Sequence, residues 1–454
     1  MNNYNICVLG YNNNFYKFLN HLKDNKTKYK LKFILKKAIK NFKYDNLKNN
    51  IIKNKIKYVA ICDSTFLSDI SEDINFYIKN KIKIVKASTN IEIQIHGFII
   101  EKPFSDFTFE QLFLRETLKI DLLKNNVIRN KVVFITGGAG SIGRGLVLEI
   151  IKLKPKKIIV VDNNEYNVFK LKNMIDNSKN KKIKIYFVLT NIENQKLLDQ
   201  EFRFHKPDIV FHAAALKHVL FLENNVKQGI LTNIFGTKNL LDCATKYKTK
   251  YFIHISTDKA ADPKNVLGYT KKLSEYVCHS YSKKIKVGVV RFGNVFNSFG
   301  SATEKFKSQI SSSKKISLSH PNVERFFMSN IEATNLIITT LQNLTKKRIN
   351  ECRTFIFKMD KPIKIKDLVT KMIYLSGREP KKLISKKFYG LNKIEKISEK
   401  LFDKNDDIKN ISNKNIIEIS TKLRKIDYKF LTKLINSNFP KIKIRNLLKK
   451  YISK

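Results

Sequence analysis

The chain contains 454 residues, about three times the size of an average domain, so two or three folded units are expected. A hydrophobic fraction of 43%, with 11% aromatic residues, excludes a disordered chain, a collagen-like repeat and a small disulfide-stapled protein. Lysine and arginine total 88 against 39 acidic residues, which gives a formal net charge of +49.

The positive charge does not by itself identify a partner. A chain this basic attracts any polyanion through counterion release. The basic residues, however, are spread along the whole chain and do not alternate with aromatic residues as they would on a base-stacking surface. We expect no specific nucleic-acid partner and favour a drift in coding composition, with a functional basic surface as the alternative.

The cysteines and the apolar runs bear on the cellular compartment. The five cysteines lie far apart and form no Cys-x-x-Cys pair, which predicts a reducing compartment, no disulfide framework and no metal site. The amino terminus lacks the pattern of a signal peptide, and no apolar run reaches the roughly 18 residues that cross a bilayer. The sequence therefore predicts a cytoplasmic protein without a transmembrane segment.

The first hundred residues alternate short apolar runs with longer mixed segments, from YNICVLG to KIKIVKA. This rhythm of strands and helices predicts a parallel sheet. The turn after the first strand has one glycine, Gly10, whereas a dinucleotide needs several glycines for close approach to the backbone. We predict a degenerate Rossmann-like lobe over residues 1–105 and a helical connector over 106–130.

At Lys131 the pattern restarts with KVVFITGGAGSIG, a buried strand that runs into a glycine-rich turn and a helix. Six strands separated by helices can be placed over residues 131–300, which predicts an α/β fold with a doubly wound parallel sheet and a ligand crevice at the strands' carboxyl ends. Residues 301–454 are less regular and predict a smaller α+β substrate cap with a C-terminal tail. Their polar run 403–415 is predicted to be a surface loop.

The glycine-rich turn has the spacing GxxGxxG, in which the glycines allow a tight turn, close approach to a phosphate and close helix packing. The N-terminus of the following helix faces the anion. The residues predicted to bind the cofactor here are Gly137, Gly140, Ser141, Ile142 and Gly143. Asp162 ends the second strand about 20 residues later, where it would accept hydrogen bonds from the adenosine ribose and repel a 2′-phosphate. NAD is therefore favoured over NADP, and a structural turn without a ligand is the alternative.

Two further segments follow predicted strands. In HAAALKHV, the small residues Ala213, Ala214 and Ala215 would let a cofactor lie against the backbone, and Lys217 follows them. In ISTDKAADPKNVLGYTKK, Asp258 and Lys259 are adjacent at the irregular end of a strand, where both can reach one ligand. A carboxyl proton donor beside an amine base is suited to acid–base catalysis, and a surface ion pair is the alternative.

These segments, together with VRFGNVFNSFGS and HPNVERFFM, resemble the extended short-chain dehydrogenase/reductase family. More narrowly, they resemble the UDP-N-acetylglucosamine 4,6-dehydratases of polysaccharide biosynthesis. The resemblance covers roughly residues 100–400. The N-terminal lobe is similar to the extra nucleotide-fold domain of the long, membrane-anchored members, here without their transmembrane helices.

The resemblance implies a reaction and assigns roles. Such an enzyme oxidises the sugar at carbon 4 with NAD, removes the proton at carbon 5, expels the carbon 6 hydroxyl as water and returns the hydride to carbon 6. The product is a 4-keto-6-deoxy sugar for surface glycans, and members commonly form homo-oligomers. The implied roles are proton donor for Asp258, base at carbon 5 for Lys259, a hydroxyl near carbon 4 for Thr257, the nicotinamide ribose for Lys271, and UDP-sugar contacts for Lys217, Asn294 and Arg325, with Arg325 on the diphosphate.

One departure leaves other functions open. The tyrosine of the usual Tyr-x-x-x-Lys pair is replaced by Leu267, and long members carry methionine there. Tyr269 is an unsuitable substitute because two residues along a helix turn a side chain to another face. A nucleotide-sugar 4-epimerase of the same fold and a non-catalytic NAD-binding module are the alternatives to the dehydratase.

Overall fold

The computed structural model of the chain describes residues 4–10, 13–24, 29–35, 44–62, 66, 70, 73–86, 107–113, 115, 117–118, 120–177, 183–312, 314–346, 352–357, 359, 361–376, 378, 380–385, 388–392, 394–403, 406–410, 416–420 and 424–453. These residues belong to two compact units. The first unit lies within Met1–Thr117, Ala302–Val323 and Ile363–Gly390, and the second within Leu118–Ser301, Glu324–Pro362 and Leu391–Lys454.

The strands in chain order are β1 (Tyr4–Leu9), β2 (Tyr29–Leu35), β3 (Tyr58–Ile61), β4 (Lys83–Lys86), β5 (Val132–Thr136), β6 (Lys157–Asp162), β7 (Lys184–Leu189), β8 (Ile209–His212), β9 (Tyr251–Ile255), β10 (Lys286–Arg291), β11 (Asn294–Val295), β12 (Glu324–Arg325), β13 (Phe327–Met328), β14 (Arg353–Phe357), β15 (Ile363–Lys364), β16 (Asp407–Asn410) and β17 (Ile416–Ser420).

The α-helices are α1 (Asn13–Asp24), α2 (Tyr44–Lys53), α3 (Ile74–Lys79), α4 (Phe109–Phe113), α5 (Ser141–Lys152), α6 (Glu165–Asp176), α7 (Gln195–His205), α8 (Val219–Asn224), α9 (Val226–Gly229), α10 (Gly236–Lys246), α11 (Val266–Tyr281), α12 (Ala302–Ser311), α13 (Asn330–Thr345), α14 (Ile365–Leu375), α15 (Pro380–Leu383), α16 (Tyr428–Asn436) and α17 (Lys441–Ser453). A π-helical turn covers Ile230–Phe235, and a 3-10 turn covers Asp258–Ala260.

The first unit contains a four-stranded parallel sheet in the order β2-β1-β3-β4. Helix α1 packs on it because Phe15, Phe18 and Leu22 recur at helical spacing and enter one apolar cluster with Ile6 and Val8 of β1. The parallel sheet predicted for the N-terminal lobe is confirmed.

The second unit contains a nine-stranded sheet in the order β16-β17-β14-β10-β9-β8-β5-β6-β7, counted over the described residues. The strands from β5 to β10, together with β14, are parallel, and β17 and β16 add to the edge in antiparallel pairs. The six strands predicted over residues 131–300 are all present. The chain runs from β5 outward to β6 and β7 and then returns to β8 on the other side, so a crevice opens at the carboxyl ends of β5 and β8.

Strand β5 shows how this sheet is covered on both faces. All five residues Val132–Thr136 are buried, and successive side chains point to opposite faces. Phe134 contacts Phe202 of α7, with ring centroids 4.6 Å apart. Ile135 packs with Leu146 of α5 on the other face. Each fully buried apolar side chain of this size contributes about 1.5–3 kcal/mol to folding.

The helical connector predicted over residues 106–130 is helical at Phe109–Phe113 but not at its C-terminal end. Residues 120–130 form turns rather than a helix. The carboxylate of Asp121 accepts a hydrogen bond from the amide of Leu123, at 3.0 Å, and the side-chain oxygen of Asn126 accepts one from the amide of Ile128, at 3.2 Å. Short polar side chains of this kind compete for the amides that a helix would use.

The last third of the chain also differs from expectation. Residues 301–454, predicted as one cap, contribute to both units, since β14, β16 and β17 belong to the large sheet. The run RTFIF forms β14 because it is buried on both faces, as in the interior of a parallel sheet. Part of the predicted polar loop, Asp407–Asn410, is the edge strand β16. The domain boundaries themselves stay predictions.

Candidate functional site

The turn between β5 and α5 brings the backbone close to a neighbouring strand end. Gly137 has a φ of +62°, and a Cβ atom there would lie 2.6 Å from the amide nitrogen of Ala214. At Gly143, a Cβ atom would lie 2.0 Å from the carbonyl oxygen of Gly137. Only glycine fits at these two positions. The glycine turn and the Ala213–Ala215 segment, both predicted to bind the cofactor, are therefore side by side.

The N-terminus of α5 is available to an anion. Its cap residue is Gly140, which has no side chain that could accept hydrogen bonds from the amides of the first turn. The first amides of a helix, here including those of Ser141 and Ile142, have no partner within the helix and carry the positive end of its dipole. This is the arrangement that binds the pyrophosphate of a dinucleotide.

Asp162 is buried at the carboxyl end of β6 and is tied to the same turn. Its Oδ2 accepts a hydrogen bond from the amide of Ala139, at 3.0 Å, and its Oδ1 accepts one from the amide of Asn164, at 3.0 Å. A carboxylate has about four acceptor positions, so capacity remains for ribose hydroxyls. The glycine cradle, the uncapped helix and this carboxylate together fit an adenosine dinucleotide.

Lys217 lies on the loop that follows Ala213–Ala215. Its ammonium group donates to the carbonyl of Phe299, at 2.7 Å, and the amide of Phe299 donates to Oγ of Ser141, at 2.8 Å. Lys217 is exposed and is thus linked through one residue to the start of α5. Asn294 is half-buried in β11, where its amide donates to the carbonyl of Phe326. The substrate contacts assigned to both side chains stay predictions.

Thr257, Asp258 and Lys259 form a hydrogen-bonded group after β9. Asp258 is fully buried, and its Oδ1 accepts from the hydroxyl of Thr257, at 2.9 Å, and from Nζ of Lys259, at 3.0 Å. Among the described residues, Oδ2 of Asp258 has no hydrogen-bond partner. Adjacent residues can meet in this way because the chain leaves the strand in a 3-10 turn. A buried carboxylate oxygen without a partner is costly and is suited to a ligand.

Lys271 lies on helix α11 and is buried against the carboxyl end of β9. Its Nζ donates to the carbonyl of Ile255, at 2.7 Å, and lies 3.1 Å from Nε2 of His254. Burial lowers the pKa of Lys271 to about 8 and lowers the pKa of His254 well below its usual value, so His254 is neutral. Sequence analysis missed His254, which lies within an apolar-looking strand.

Leu267 lies one helical turn before Lys271, on the same face of α11. The helix starts there because Asn265 caps it, accepting a hydrogen bond from the amide of Gly268 at 2.9 Å. Tyr269 is buried in the apolar cluster that includes Leu240, and burial raises the pKa of its phenol. The structure thus agrees with the exclusion of Tyr269 as a substitute for the missing tyrosine.

A buried ion pair is hydrogen-bonded to Ser256, the residue before the Thr257–Lys259 group. Oγ of Ser256 donates to Glu275, at 2.6 Å, and Arg291 holds the Glu275 carboxylate with two hydrogen bonds of 2.8 and 2.7 Å. Arg291 also donates to Asp406, at 3.0 Å. Burial by itself raises the pKa of Glu275, but the charge and hydrogen bonds of Arg291 outweigh it and hold that pKa well below its usual range. The pair fixes the residue that precedes Thr257.

Arg325 is engaged by the chain that follows residue 390. Its guanidinium donates to the carbonyls of Glu324, Ile397 and Lys396, at 2.7, 3.0 and 3.0 Å. These contacts use part of its five donors and leave others for an anion. The carboxylate of Glu399, which sequence analysis missed, lies 4.0 Å from Nη2 of Arg325 and 3.9 Å from Nζ of Lys259. Arg325 is thereby brought close to the Asp258–Lys259 pair.

Residues 133–421 match the model of the family described as polysaccharide biosynthesis protein. The chain belongs to this family. It is 31% identical to the capsular polysaccharide biosynthesis protein CapD of Staphylococcus aureus over 387 residues, which are 84% of this chain and 63% of CapD. It is 30% identical to the probable polysaccharide biosynthesis protein EpsC of Bacillus subtilis over 389 residues, with the same two shares. The chain spans less than two thirds of these curated relatives.

Solved structures agree with membership of the polysaccharide biosynthesis protein family. Pen from Bacillus thuringiensis is similar at a TM-score of 0.57 and 28% identity, over 72% of this chain and 99% of Pen. DesIV, a dTDP-glucose 4,6-dehydratase from Streptomyces venezuelae with NAD and TYD bound, is similar at a TM-score of 0.52 and 19% identity, over 60% of this chain and 88% of DesIV. The fold is that of the extended short-chain dehydrogenase/reductases.

Three further observations concern the described residues of this family member. They contain no group of three or more histidine, cysteine or acidic side chains placed to hold a metal ion. Within the same residues, none of the helices combines the length and the apolar character required to span a bilayer. All five cysteines are buried and free of disulfides.

Proposed function

We propose that the chain is a nucleotide-sugar 4,6-dehydratase that converts UDP-N-acetylglucosamine to a 4-keto-6-deoxy sugar. The observation that carries the proposal is the Asp258–Lys259 pair, in which a buried carboxylate with one free oxygen lies 3.0 Å from an amine. Elimination of water needs a base at carbon 5 and an acid at the carbon 6 hydroxyl. A 4-epimerase has no need of that acid.

NAD, when bound, supplies the acceptor for the hydride from carbon 4 and its donor to carbon 6. The residues that would hold it are those of the glycine turn, the start of α5, Asp162, Ala213–Ala215 and Lys271. The Asp162 carboxylate at the ribose position favours NAD over NADP, because a 2′-phosphate would be repelled.

The side chains account for the protons. With Leu267 unable to accept a proton, the proton of the carbon 4 hydroxyl passes through the Thr257 hydroxyl to Asp258, along the 2.9 Å hydrogen bond between them. Asp258 then donates this proton to the leaving carbon 6 hydroxyl, which departs as water. Lys259 takes the proton from carbon 5 and returns it there after the hydride reaches carbon 6. Both groups end the cycle in their starting state.

The UDP moiety is proposed to lie near Arg325, whose remaining donors suit a diphosphate, with Lys217 and Asn294 as further contacts. A cytoplasmic location and a homo-oligomeric state stay predictions of the sequence.

The test is mass spectrometry of the purified protein incubated with NAD and UDP-N-acetylglucosamine. Loss of one water from the sugar nucleotide, without net formation of NADH, is expected. A sugar nucleotide of unchanged mass but inverted carbon 4 would instead support the epimerase. An unchanged substrate, with NAD still bound, would contradict both activities on this sugar.

A further inference from the structure

Glu399 is a buried carboxylate that lies among three cations. Its side chain is 4% exposed. Its Oε1 lies 3.9 Å from Nζ of Lys259 and 4.0 Å from Nη2 of Arg325, and its Oε2 lies 3.6 Å from Nζ of Lys396. The carboxylate therefore faces both Lys259, the proposed base, and Arg325, the residue proposed to bind the diphosphate.

None of these three contacts is a hydrogen bond. All are longer than the usual range for a charged donor and acceptor, and Oε2 of Glu399 has no hydrogen-bond partner among the described residues. Glu399 is thus a shared counter-ion rather than half of one ion pair. Opposite charges at about 4 Å still interact strongly in a buried site, where water screens them little.

The cluster is balanced in charge when Lys259 is an ammonium, the form it takes after it accepts the carbon 5 proton. Its cations are Lys259, Arg325 and Lys396, and its carboxylates are Asp258, Asp262 and Glu399. Among the described residues, Asp262 faces Lys396, at 3.3 Å, and is 45% exposed. Without Glu399, Asp258 would be the one carboxylate within 4 Å of Lys259 in this part of the structure.

Asp258 cannot be a constant counter-ion for Lys259. In the proposed reaction it gains a proton from the substrate and then gives it to the leaving hydroxyl, so its charge changes during each turnover. Lys259 becomes an ammonium when it takes the proton from carbon 5, while Asp258 is changing its own charge. A carboxylate that keeps its charge throughout would stabilise that ammonium, as the acid of a catalytic triad stabilises an imidazolium.

We propose that Glu399 is a positioning residue that holds Lys259 toward carbon 5 and stabilises the ammonium formed there. This inference rests on the proposed function, because it assigns Lys259 as the base. It also links substrate binding to catalysis, since the same carboxylate faces Arg325.

The experiment compares Glu399→Gln with the matched control Asp262→Asn. Each variant removes one carboxylate charge from the same cluster, but only Glu399 faces Lys259. We expect Glu399→Gln to lower kcat about tenfold, less than the roughly hundredfold or greater loss caused by removing an acid or a base itself, with a smaller change in KM. As the pH is raised, the rate of Glu399→Gln should begin to increase at a lower pH than that of the wild type. The reason is that an ammonium without a neighbouring carboxylate loses its proton more readily. Asp262→Asn should keep the wild-type profile.

Further measurements keep the result decisive. Glu399→Asp retains the charge and is expected to have the wild-type pH profile. A variant that folds poorly would lose rate at every pH without a shift of the profile, and thermal unfolding measures that loss of stability. Equal pH profiles for the wild type and Glu399→Gln would overturn the proposal.

A readout independent of turnover separates this proposal from the proposed function. Acylation of Lys259 by an amine-reactive ester, followed against pH by peptide mass spectrometry, should begin at lower pH in Glu399→Gln. If the wild type produces no dehydrated sugar but the labelling shift is present, the proposed function fails while the contact between Glu399 and Lys259 stands. No labelling shift would overturn the contact itself.

Discussion

Replacing Glu275 with glutamine breaks an ion pair in which both side chains are fully buried. In the variant, Arg291 keeps the carboxylate of Asp406, at 3.0 Å. The substitution also changes the group that accepts the hydrogen bond of Ser256, two residues before Asp258. Glutamine has nearly the volume of glutamate, so the change tests charge and hydrogen bonding rather than packing.

The expected loss follows from burial. Removing one partner of a buried ion pair costs about 3–5 kcal/mol because the remaining charge is left without compensation. Asp406 still faces Arg291, so the lower end, about 3 kcal/mol, is expected for Glu275→Gln. The folded-state pKa of Glu275 lies below its unfolded value. Its contribution is therefore present above the ordinary glutamate pKa of about 4.3 and is lost as the pH falls through the folded value.

Urea titrations followed by far-UV circular dichroism at pH 7 and at pH 4 measure both effects. The difference between wild type and variant should be largest at pH 7 and smaller at pH 4. Asp176→Asn is the control, because its partner Lys172 and Asp176 are 57% and 58% exposed and such pairs contribute at most about 1 kcal/mol. A loss for Glu275→Gln no larger than that of the control would refute the reasoning.

Three further changes are predicted. Asp258→Asn should keep cofactor and substrate binding but slow the elimination by at least about a hundredfold, and an unchanged rate in a dehydration assay would remove Asp258 from the mechanism. Gly143→Ala should weaken NAD binding at least about tenfold in calorimetry, because the new Cβ would lie 2.0 Å from the carbonyl oxygen of Gly137; wild-type affinity would contradict the proposed cradle. Burial lowers the pKa of Lys271 to about 8, so the unfolded chain binds more protons between that pH and about 10.5. The free energy of unfolding of the wild type, relative to that of Lys271→Met, should therefore rise by up to about 3 kcal/mol across that range. Urea denaturation curves of the two proteins that shift equally with pH would contradict this prediction.

Features set by neighbouring residues could be predicted from the sequence. The strand before Gly137 is a continuous apolar run. Glycines at this spacing between a strand and a helix predict the turn of a dinucleotide-binding fold. Asp258 and Lys259 are adjacent, so their proximity required only that the strand end irregularly. The face shared by Leu267 and Lys271 follows from helical periodicity alone.

Features set by distant contacts could not be predicted. Asp406 reaches Arg291 across 115 residues of chain, and nothing in the polar run around it indicates a buried partner. Glu399 lies in a run of alternating charged and apolar residues that resembles an ordinary charged surface in the sequence. Residues 120–130 of the predicted connector are not helical for a local reason, because the side chains of Asp121 and Asn126 accept hydrogen bonds from amides that a helix would use.

The separation of these contacts along the chain also has a consequence for folding. Lys396 contacts Asp262 across 134 residues of chain. Closing a loop of this length costs conformational entropy, and that cost must be met before the contacts that offset it have formed. The cluster around Glu399 is therefore expected to form late, after the local strand–helix units of the sheet. A nascent or truncated chain ending before residue 390 would carry the acid and the base on their turn, together with Arg325, but would lack Glu399 and Lys396. Such a chain could acquire the dinucleotide cradle well before it acquires a complete reaction centre.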